Sequence, residues 1–185
     1  VSAAAFVLAQ SGASDRMAVV AEAEALCNAH QAKSVLCTDD VEEGRMLLAA
    51  RRMALPALEK KGTTLLDDIA VPKSAMIEMI ARIRSIADAH HVMIGTFGHA
   101  GDGNLHPTIV FDAKDEASTD AAYAAFDEIL KDAIALGGTI TGEHGVGSLK
   151  TKYLTSMLGD PQRALMRKIK DAFDPRGILN PGRAI

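Results

Sequence analysis

The chain has 185 residues, of which 48% are hydrophobic but only 4% are aromatic, and it contains no Trp. This length and composition suffice for a core built from aliphatic side chains, as in a soluble protein that mixes helices and strands. The net charge is −4, with acidic and basic residues spread along the chain, which argues against nucleic acid as a partner. No apolar run is long enough to span a bilayer.

The first part of the chain is predicted to alternate strands and helices. Residues 3–9 and 34–38 are predicted as strands, and residues 15–30 as a helix that begins near an aspartate N-cap. A second helix follows two further aspartates and carries Arg51. Residues 1–64 therefore form a partial βαβα segment, which lacks the strands that would close a sheet.

Cys27 and Cys37 do not have the spacing of a metal or redox pair. We predict that both cysteines are buried and act as small apolar residues. The sequence gives no indication that the protein needs an oxidising compartment. A cytoplasmic location is therefore predicted. The chain begins with Val1 rather than Met, which favours a fragment whose missing strands lie upstream.

The middle of the chain has the order strand, helix, strand, strand, helix, strand. The strands are predicted at residues 65–72, 92–97, 107–111 and 139–141. Ser74 is predicted to cap the first helix. The apolar stripe of that helix consists of Met76, Ile80, Ile83 and Ala87. The second helix ends at Gly137 and Gly138, and its apolar positions are Tyr123, Phe126, Leu130 and Ala133.

This order is that of a ferredoxin-like unit, in which two helices cover one face of an antiparallel sheet. We therefore predict an α+β fold with a ferredoxin-like unit over residues 65–145 and the βαβα companion before it. Residues 146–185 are predicted to form a C-terminal helix and tail. Asp160 and Pro161 mark the start of that helix, and two prolines and two glycines indicate a turn-rich tail.

Two histidines flank a glycine-rich loop in the segment "GHAGDGNLHP". In the predicted hairpin His99 and His106 stand opposite each other, about 5 Å apart, so that two imidazoles can share one ion. The following helix returns the chain to the same end of the sheet, where Glu143 of "TGEHGVG" can supply an oxygen. A His₂Glu set leaves one coordination position open, as catalytic zinc sites do, and Mn²⁺, Co²⁺ or Fe²⁺ are alternatives.

His144 directly follows Glu143 and is predicted to be a neutral base that accepts a proton near neutral pH. Asn104 and Asp102 are predicted to bind or orient the substrate or the ligands. The structural alternative is a tight turn with solvated histidines. Two functional alternatives stay open, namely a metal-dependent hydrolase that activates water and a ferredoxin-like binding module without chemistry.

Three segments, "GHAGDGNLHP", "TGEHGVGSLK" and "FDPRGILNPGRAI", resemble in order and separation the C-terminal portion of the FAD-linked oxidases of the vanillyl-alcohol-oxidase type. The resemblance runs from about Leu48 to Ile185 and is strongest to the D-lactate dehydrogenase and glycolate oxidase group. It implies an FAD-dependent oxidoreductase that converts a small D-2-hydroxy acid to the 2-oxo acid.

The resemblance also implies roles for individual residues. A divalent metal, with zinc the first choice, binds the substrate, and its ligands correspond here to His99, His106 and Glu143. His144 corresponds to the base, and Arg51 to an arginine that pairs with the substrate carboxylate. Asn180 corresponds to a residue that approaches the flavin ring. A solvated helix arginine is the structural alternative for Arg51.

The sequence departs from the family in two ways. D-2-hydroxyglutarate enzymes carry a lysine where this chain has Leu66, which favours a small monocarboxylate as substrate. The FAD-binding domain that precedes this region in the family is not in the sequence, so an N-terminal FAD-binding domain is the expected partner. The chain alone is expected not to bind FAD tightly, and a homodimer is an open alternative to a monomer.

Overall fold

The structure, a computed structural model, describes residues 5–185. It has helices and a small antiparallel sheet, which confirms the predicted α+β class. The chain divides into two compact units, one that ends at Pro56 and one that spans Ala57–Ile185. Within residues 5–185, no helix combines the length and the apolar character that a membrane crossing needs.

The first unit contains helices α1 (Arg16–Ala29) and α2 (Val41–Arg52), and helix α3 (Ala54–Glu59) begins in it. The side chain of Asp40 caps α2 by accepting hydrogen bonds from two backbone amides of its first turn. The first helix lies where it was predicted, although no side-chain hydrogen bond caps it.

The strands predicted in this unit are not formed. Residues 5–9 and 34–38 have no regular secondary structure and no strand pairing, and residues 3 and 4 lie outside the described part. An extended segment becomes a stable strand only when its backbone groups pair with a neighbour, and residues 5–56 offer no such partner. None of residues 5–56 is buried, so the prediction that Cys27 and Cys37 are buried is also wrong.

The sheet of the second unit has strands β1 (Thr63–Leu66), β2 (Ile69–Ala70), β3 (Met93–His99) and β4 (Asn104–Phe111). Strand β4 is central, with β3 on one side and both β1 and β2 on the other, all antiparallel. The strand predicted at residues 139–141 is reduced to a single bridge between Thr139 and Ala70. The ferredoxin-like description therefore stays a prediction.

The strand predicted at residues 65–72 is interrupted opposite Pro107. Strands β1 and β2 pair with β4 in one continuous register, which places Asp67 across from Pro107 and Asp68 across from His106. The amide of Asp67 donates to the Pro107 carbonyl at 2.8 Å, but proline has no N–H to donate in return. Because side chains alternate along a strand, the two aspartates point to opposite faces of the sheet.

Helices α4 (Met76–His90) and α5 (Glu116–Ala135) pack against each other and against the sheet. The buried stripe of α4 is centred on Met79, Ile83 and Ile86, so the predicted stripe was correct only in part. Ser74 does not cap this helix, because it lies within a 3₁₀ turn that precedes it. The other large fully buried residues of the core include Ile69, Ile109, Phe126, Ile129, Leu130 and Ile140.

The chain ends in helix α6 (Leu154–Phe173) and a tail. Helix α6 starts earlier than predicted, and Gly159, with φ of 74°, interrupts it just before the predicted start at Asp160 and Pro161. The tail is organised by the buried carboxylate of Asp174. Its two oxygens accept hydrogen bonds from the amides of Ile178 and Leu179, at 3.0 and 2.8 Å.

Asp67 forms a buried ion pair with Lys150 on the same side of the sheet as the core. The Lys150 Nζ to Asp67 Oδ1 distance is 2.6 Å, and Nζ also donates to the carbonyls of Asp68 and Ile140, each at 2.7 Å. Burial raises the pKa of the Asp67 carboxyl, and the ammonium of Lys150 opposes that rise. All three hydrogens of the ammonium thus have acceptors, which is the condition under which a buried charge is tolerated.

The ion pair leads to a stability prediction. We expect Lys150→Met to lower the free energy of unfolding by about 3–5 kcal/mol, because it leaves a buried carboxylate without its cation. The control is Lys152→Met, two residues away, whose side chain is 64% exposed and pairs with Asp127. Its effect should stay below about 1 kcal/mol in urea denaturation. Equal losses in the two variants would contradict this account of Lys150.

Candidate functional site

Two of the predicted site residues, Asn104 and His106, lie on the face of the sheet opposite to α4 and α5. Along β4, Leu105 and Ile109 belong to the core, so the alternating positions Asn104 and His106 face the other way. In the ladder His99 pairs with Asn104, and the direct partner of His106 is Phe97. The two histidines are therefore diagonal neighbours, not directly opposite as predicted, and their ring centroids are 5.4 Å apart.

Glu143 and His144 reach the same place from the loop of residues 141–147, here called the site loop. Glu143 Oε1 lies 3.5 Å from His99 Nε2. The ring of His144 stacks on that of His106, with centroids 5.2 Å apart and an interplanar angle of 14°. The term site cluster is used below for six residues: Asp68, His99, Asn104, His106, Glu143 and His144.

Glycine is needed where the site loop passes Asn104. A Cβ atom added to Gly142 would lie 1.8 Å from Asn104 Nδ2 and 2.9 Å from Asp68 Oδ1. Both atoms are held by hydrogen bonds to each other, at 2.8 Å, so neither can move away easily. The glycine before Glu143 therefore allows the loop backbone to lie directly against the sheet.

Asp68 is the acceptor on which the site loop closes. Its Oδ2 atom accepts four hydrogen bonds, at 2.8 to 3.1 Å, from the hydroxyl of Thr141 and the amides of Gly142, Glu143 and His144. Its Oδ1 atom accepts from Asn104 and lies 3.5 Å from His106 Nδ1. One carboxylate thus contacts every chain segment that contributes to the site cluster except the end of β3.

These contacts fix the charge states of two groups. Burial by itself would raise the pKa of Asp68, but the hydrogen bonds from the His144 amide and Asn104, with those from the Gly142 and Glu143 amides, hold it well below its usual range. Burial lowers the pKa of His106, and the nearby Asp68 only partly opposes this effect. At neutral pH the site therefore holds an ionised Asp68 and a neutral His106 with a free lone pair.

Within residues 5–185, two overlapping sets of side chains bring ligand atoms within 4.8 Å of one another: Asp68, His106 and His144, and His99, His106 and Glu143. Hydrogen bonding distinguishes them. Both oxygens of Asp68 are already engaged by N–H and O–H donors, so Asp68 would have to give up these bonds to bind an ion. The second set has no such conflict, and its two nitrogens and one carboxylate match a catalytic zinc site.

Two buried polar atoms of the site cluster have no hydrogen-bond partner in the described part of the chain, His106 Nδ1 and Asn104 Oδ1. Asn104 Nδ2 donates to Asp68 Oδ1 and to the Ile69 carbonyl, which identifies the amide nitrogen and leaves Oδ1 as an acceptor. Buried polar atoms are normally paired. Asn104 Oδ1 is therefore suited to a donor such as a hydroxyl group or a water molecule.

The remaining predicted site residues lie elsewhere in the chain. Arg51 is in the last turn of α2, in the first unit, and Asp102 is an exposed residue of the turn between β3 and β4. Asn180 is in the tail, with a left-handed φ of 45°. The tail contacts the site loop, since the Ala184 amide donates a hydrogen bond to the Gly147 carbonyl at 2.7 Å. The roles assigned to these residues stay predictions.

Sequence reasoning did not identify Asp67, Asp68 or Lys150 as parts of the site region. A usable indication was present in "LLDDIAVP", where two acidic residues interrupt an apolar strand. Buried carboxylates require partners, so such a pair predicts fixed donors on both faces of the sheet. The identity of those donors, up to 83 positions away at Lys150, could not be read from the local pattern.

The chain is similar to known proteins over most of its length. Residues 2–184 match the family model described as "FAD linked oxidases, C-terminal domain". The glycolate oxidase subunit GlcD of Bacillus subtilis (strain 168) is 48% identical over 161 residues, which are 86% of this chain and 34% of that protein. The mitochondrial D-lactate dehydrogenase [cytochrome] of Arabidopsis thaliana is 33% identical over 163 residues, 86% of this chain and 29% of that protein.

Among solved structures, 4-ethylphenol oxidase from Gulosibacter chungangensis matches 65% of this chain and 24% of its own, with 21% identity and a TM-score of 0.48. The chain spans about a third of the length of the curated relatives it matches. The resemblance stated from the three sequence segments is thus confirmed at the level of the family domain.

The site geometry predicts divalent metal binding by the purified chain. We expect His106→Ala to remove most of the Zn²⁺ bound in equilibrium dialysis, because it deletes the nitrogen that is central to the donor set. The control is His30→Ala, which removes an exposed histidine at the end of α1. Binding should weaken below about pH 6, where imidazoles protonate. Equal metal content in both variants would exclude His106 as a ligand.

Proposed function

The chain belongs to the FAD-linked oxidases, as a C-terminal domain of that family, and from this premise we propose that it is the substrate-binding part of an FAD-dependent oxidoreductase. The proposed reaction oxidises a small D-2-hydroxy acid, of the glycolate or D-lactate class, to the 2-oxo acid. The names of the relatives support this substrate class. The observation that carries the proposal is the convergence of His99, His106 and Glu143 from three segments on one face of the sheet.

Two groups from outside the chain complete the proposed site. Bound FAD would accept the two electrons of the alcohol, and a divalent metal, with zinc the first choice, would lower the pKa of the α-hydroxyl. His99, His106 and Glu143 are the residues that would hold the metal, and the FAD would be held mainly by an N-terminal FAD-binding domain. Such a domain is compatible with the share of the relatives' length that this chain covers.

His144 is proposed to take the proton of the α-hydroxyl. The His144 ring lies nearly parallel to the His106 ring. The backbone amide of His144 donates a hydrogen bond to Asp68, which holds the residue beside the proposed metal ligands. A general base must be held within reach of the proton that it removes, and this loop geometry provides such an anchor. Asn104 Oδ1, a buried acceptor without a partner in the described chain, would orient the hydroxyl before the proton is transferred.

Arg51 and Asn180 have proposed roles that rest on the family resemblance. Arg51 would pair with the substrate carboxylate, for which an arginine side chain offers two parallel donors. Asn180 would approach the flavin from a tail whose backbone is linked to the site loop. The cytoplasmic location and the monomeric or homodimeric state stay predictions.

The residues next to the site cluster support a monocarboxylate as the proposed substrate. Leu66 and Gly95 both pair with Thr108, so these three residues form a row across the sheet. This row lies next to His106 on the same face of the sheet. A Cβ atom on Gly95 would lie 2.5 Å from the side chain of Leu58, so the row is covered by an apolar residue. None of these residues carries the positive charge that a second substrate carboxylate would need.

The adjacent residues Glu143 and His144 should respond differently to substitution in the flavoprotein that contains this chain. Glu143→Ala should lose metal and activity together. His144→Ala should keep its metal while kcat for D-lactate or glycolate falls by about 10²–10⁴, since a base acts mainly in the transition state. Metal content and steady-state kinetics measure the two effects.

A matched control is His90→Ala, because His90 contacts Glu128 at the surface, between α4 and α5. This variant should retain both metal and turnover. An His144→Ala enzyme with the normal kcat would overturn the assignment of the base, and loss of its metal would make His144 a ligand. Absence of turnover with any 2-hydroxy acid in the intact flavoprotein would overturn the proposed function.

A further inference from the structure

We propose that Asp68 is the positioning residue of the site: a single carboxylate fixes both the loop that carries Glu143 and His144 and the imidazole of His106. This inference rests on the proposed function for its catalytic meaning. The contacts of Asp68 that support it all lie within this chain. Asp68 is 1% exposed and lies in the interruption between β1 and β2.

Asp68 holds the site loop through three backbone amides. The amides of residues 142, 143 and 144 all donate to Asp68 Oδ2, each at 2.8 Å. Three consecutive N–H groups that converge on one point form a concave anion site in the backbone. Without a negative charge at that point the three N–H dipoles repel one another, and this conformation of the loop is no longer stabilised. The directions of the Glu143 and His144 side chains therefore depend on Asp68.

Asp68 also lies beside the imidazole of His106. Its Nδ1 atom is buried, has no hydrogen-bond partner in the described chain and lies 3.5 Å from Asp68 Oδ1. A small shift of the ring gives a hydrogen bond in which Nδ1–H donates to the carboxylate. That bond places the proton on Nδ1 and leaves the lone pair on Nε2, the arrangement found in carboxylate–histidine–metal triads.

The contacts of Asp68 call for a carboxylate and not for an amide. Asn104 Nδ2 donates to Oδ1 at 2.8 Å, so both oxygens of Asp68 receive hydrogens only. An asparagine in this place would direct its own NH₂ group either at the three amides or at Asn104. As long as Asn104 Nδ2 keeps its hydrogen bond to the Ile69 carbonyl, an amide at position 68 can satisfy one side of the site but not both, although its size and shape are almost those of aspartate.

The test uses Asp68→Asn, with Asp115→Asn as the control. Asp115 caps α5 by accepting a hydrogen bond from the Ala117 amide, so this variant also replaces a carboxylate that binds backbone, away from the site. ¹H–¹⁵N NMR of the histidine rings, at neutral pH and without metal, should show His106 protonated at Nδ1 in the original chain and in the control. In Asp68→Asn the proton should move to Nε2, and the amide resonances of residues 142–144 should shift.

A second measurement uses Co²⁺ as a spectroscopic probe. Its visible absorption bands report coordination geometry, and Asp68→Asn should change these bands and weaken Co²⁺ binding by about 10–100-fold. A purely structural role would lower stability without moving the proton on His106. Urea denaturation of both variants therefore accompanies the spectra.

The proposal is overturned if His106 in the original chain carries its proton on Nε2, or if Asp68→Asn leaves the tautomer and Co²⁺ affinity unchanged. Should Asp68→Asn fail to fold, or should the original chain bind no ion, the tautomer in the original chain still decides. Failure of the proposed function is distinguishable, because it would appear as absent turnover of 2-hydroxy acids with the tautomer change intact.

Discussion

The site depends on the placement of two adjacent aspartates in the edge strand, Asp67 opposite Pro107 and Asp68 opposite His106. Because proline cannot return the backbone hydrogen bond, the edge strand is interrupted there, yet its register continues from β1 to β2. Alternation along the strand then sends Asp67 to the core side and Asp68 to the site side. A buried carboxylate without fixed donors would destabilise the fold by several kcal/mol, so each aspartate imposes a requirement on the rest of the chain.

The segment from Ile140 to Lys150 supplies donors to Asp68 and to Oδ1 of Asp67, while Asp67 Oδ2 has no hydrogen-bond partner in the described part of the chain. At its beginning, the loop amides donate to Asp68, and at its end Lys150 pairs with Asp67 and donates to the carbonyl of Ile140. The segment is thus fixed at both ends by charge, whereas His99 and His106 are fixed by the ladder between β3 and β4. Two kinds of rigid support meet in one cluster, as preorganised sites require.

The sequence predicted the parts of this arrangement that local patterns determine. The helices α4 and α5, the hairpin of β3 and β4 and the proximity of its histidines to Glu143 follow from periodicity, turn residues and chain direction. The strands of the first unit were predicted wrongly, because apolar composition cannot show whether a partner strand exists. The roles of Asp67 and Asp68 were missed because their partners at Lys150 and the site loop are more than 70 positions away.

The charges of the site cluster also limit how an anionic substrate can bind. The cluster holds the carboxylates of Asp68 and Glu143, three imidazoles and one amide, and none of its six residues is Lys or Arg. Hydrogen bonds offset the charge of Asp68, and burial keeps His106 neutral, so neither supplies positive charge at neutral pH. A 2-hydroxy acid brings a further negative charge. A cation held by His99, His106 and Glu143 would offset that charge, which is the electrostatic reason for including a metal in the proposed function.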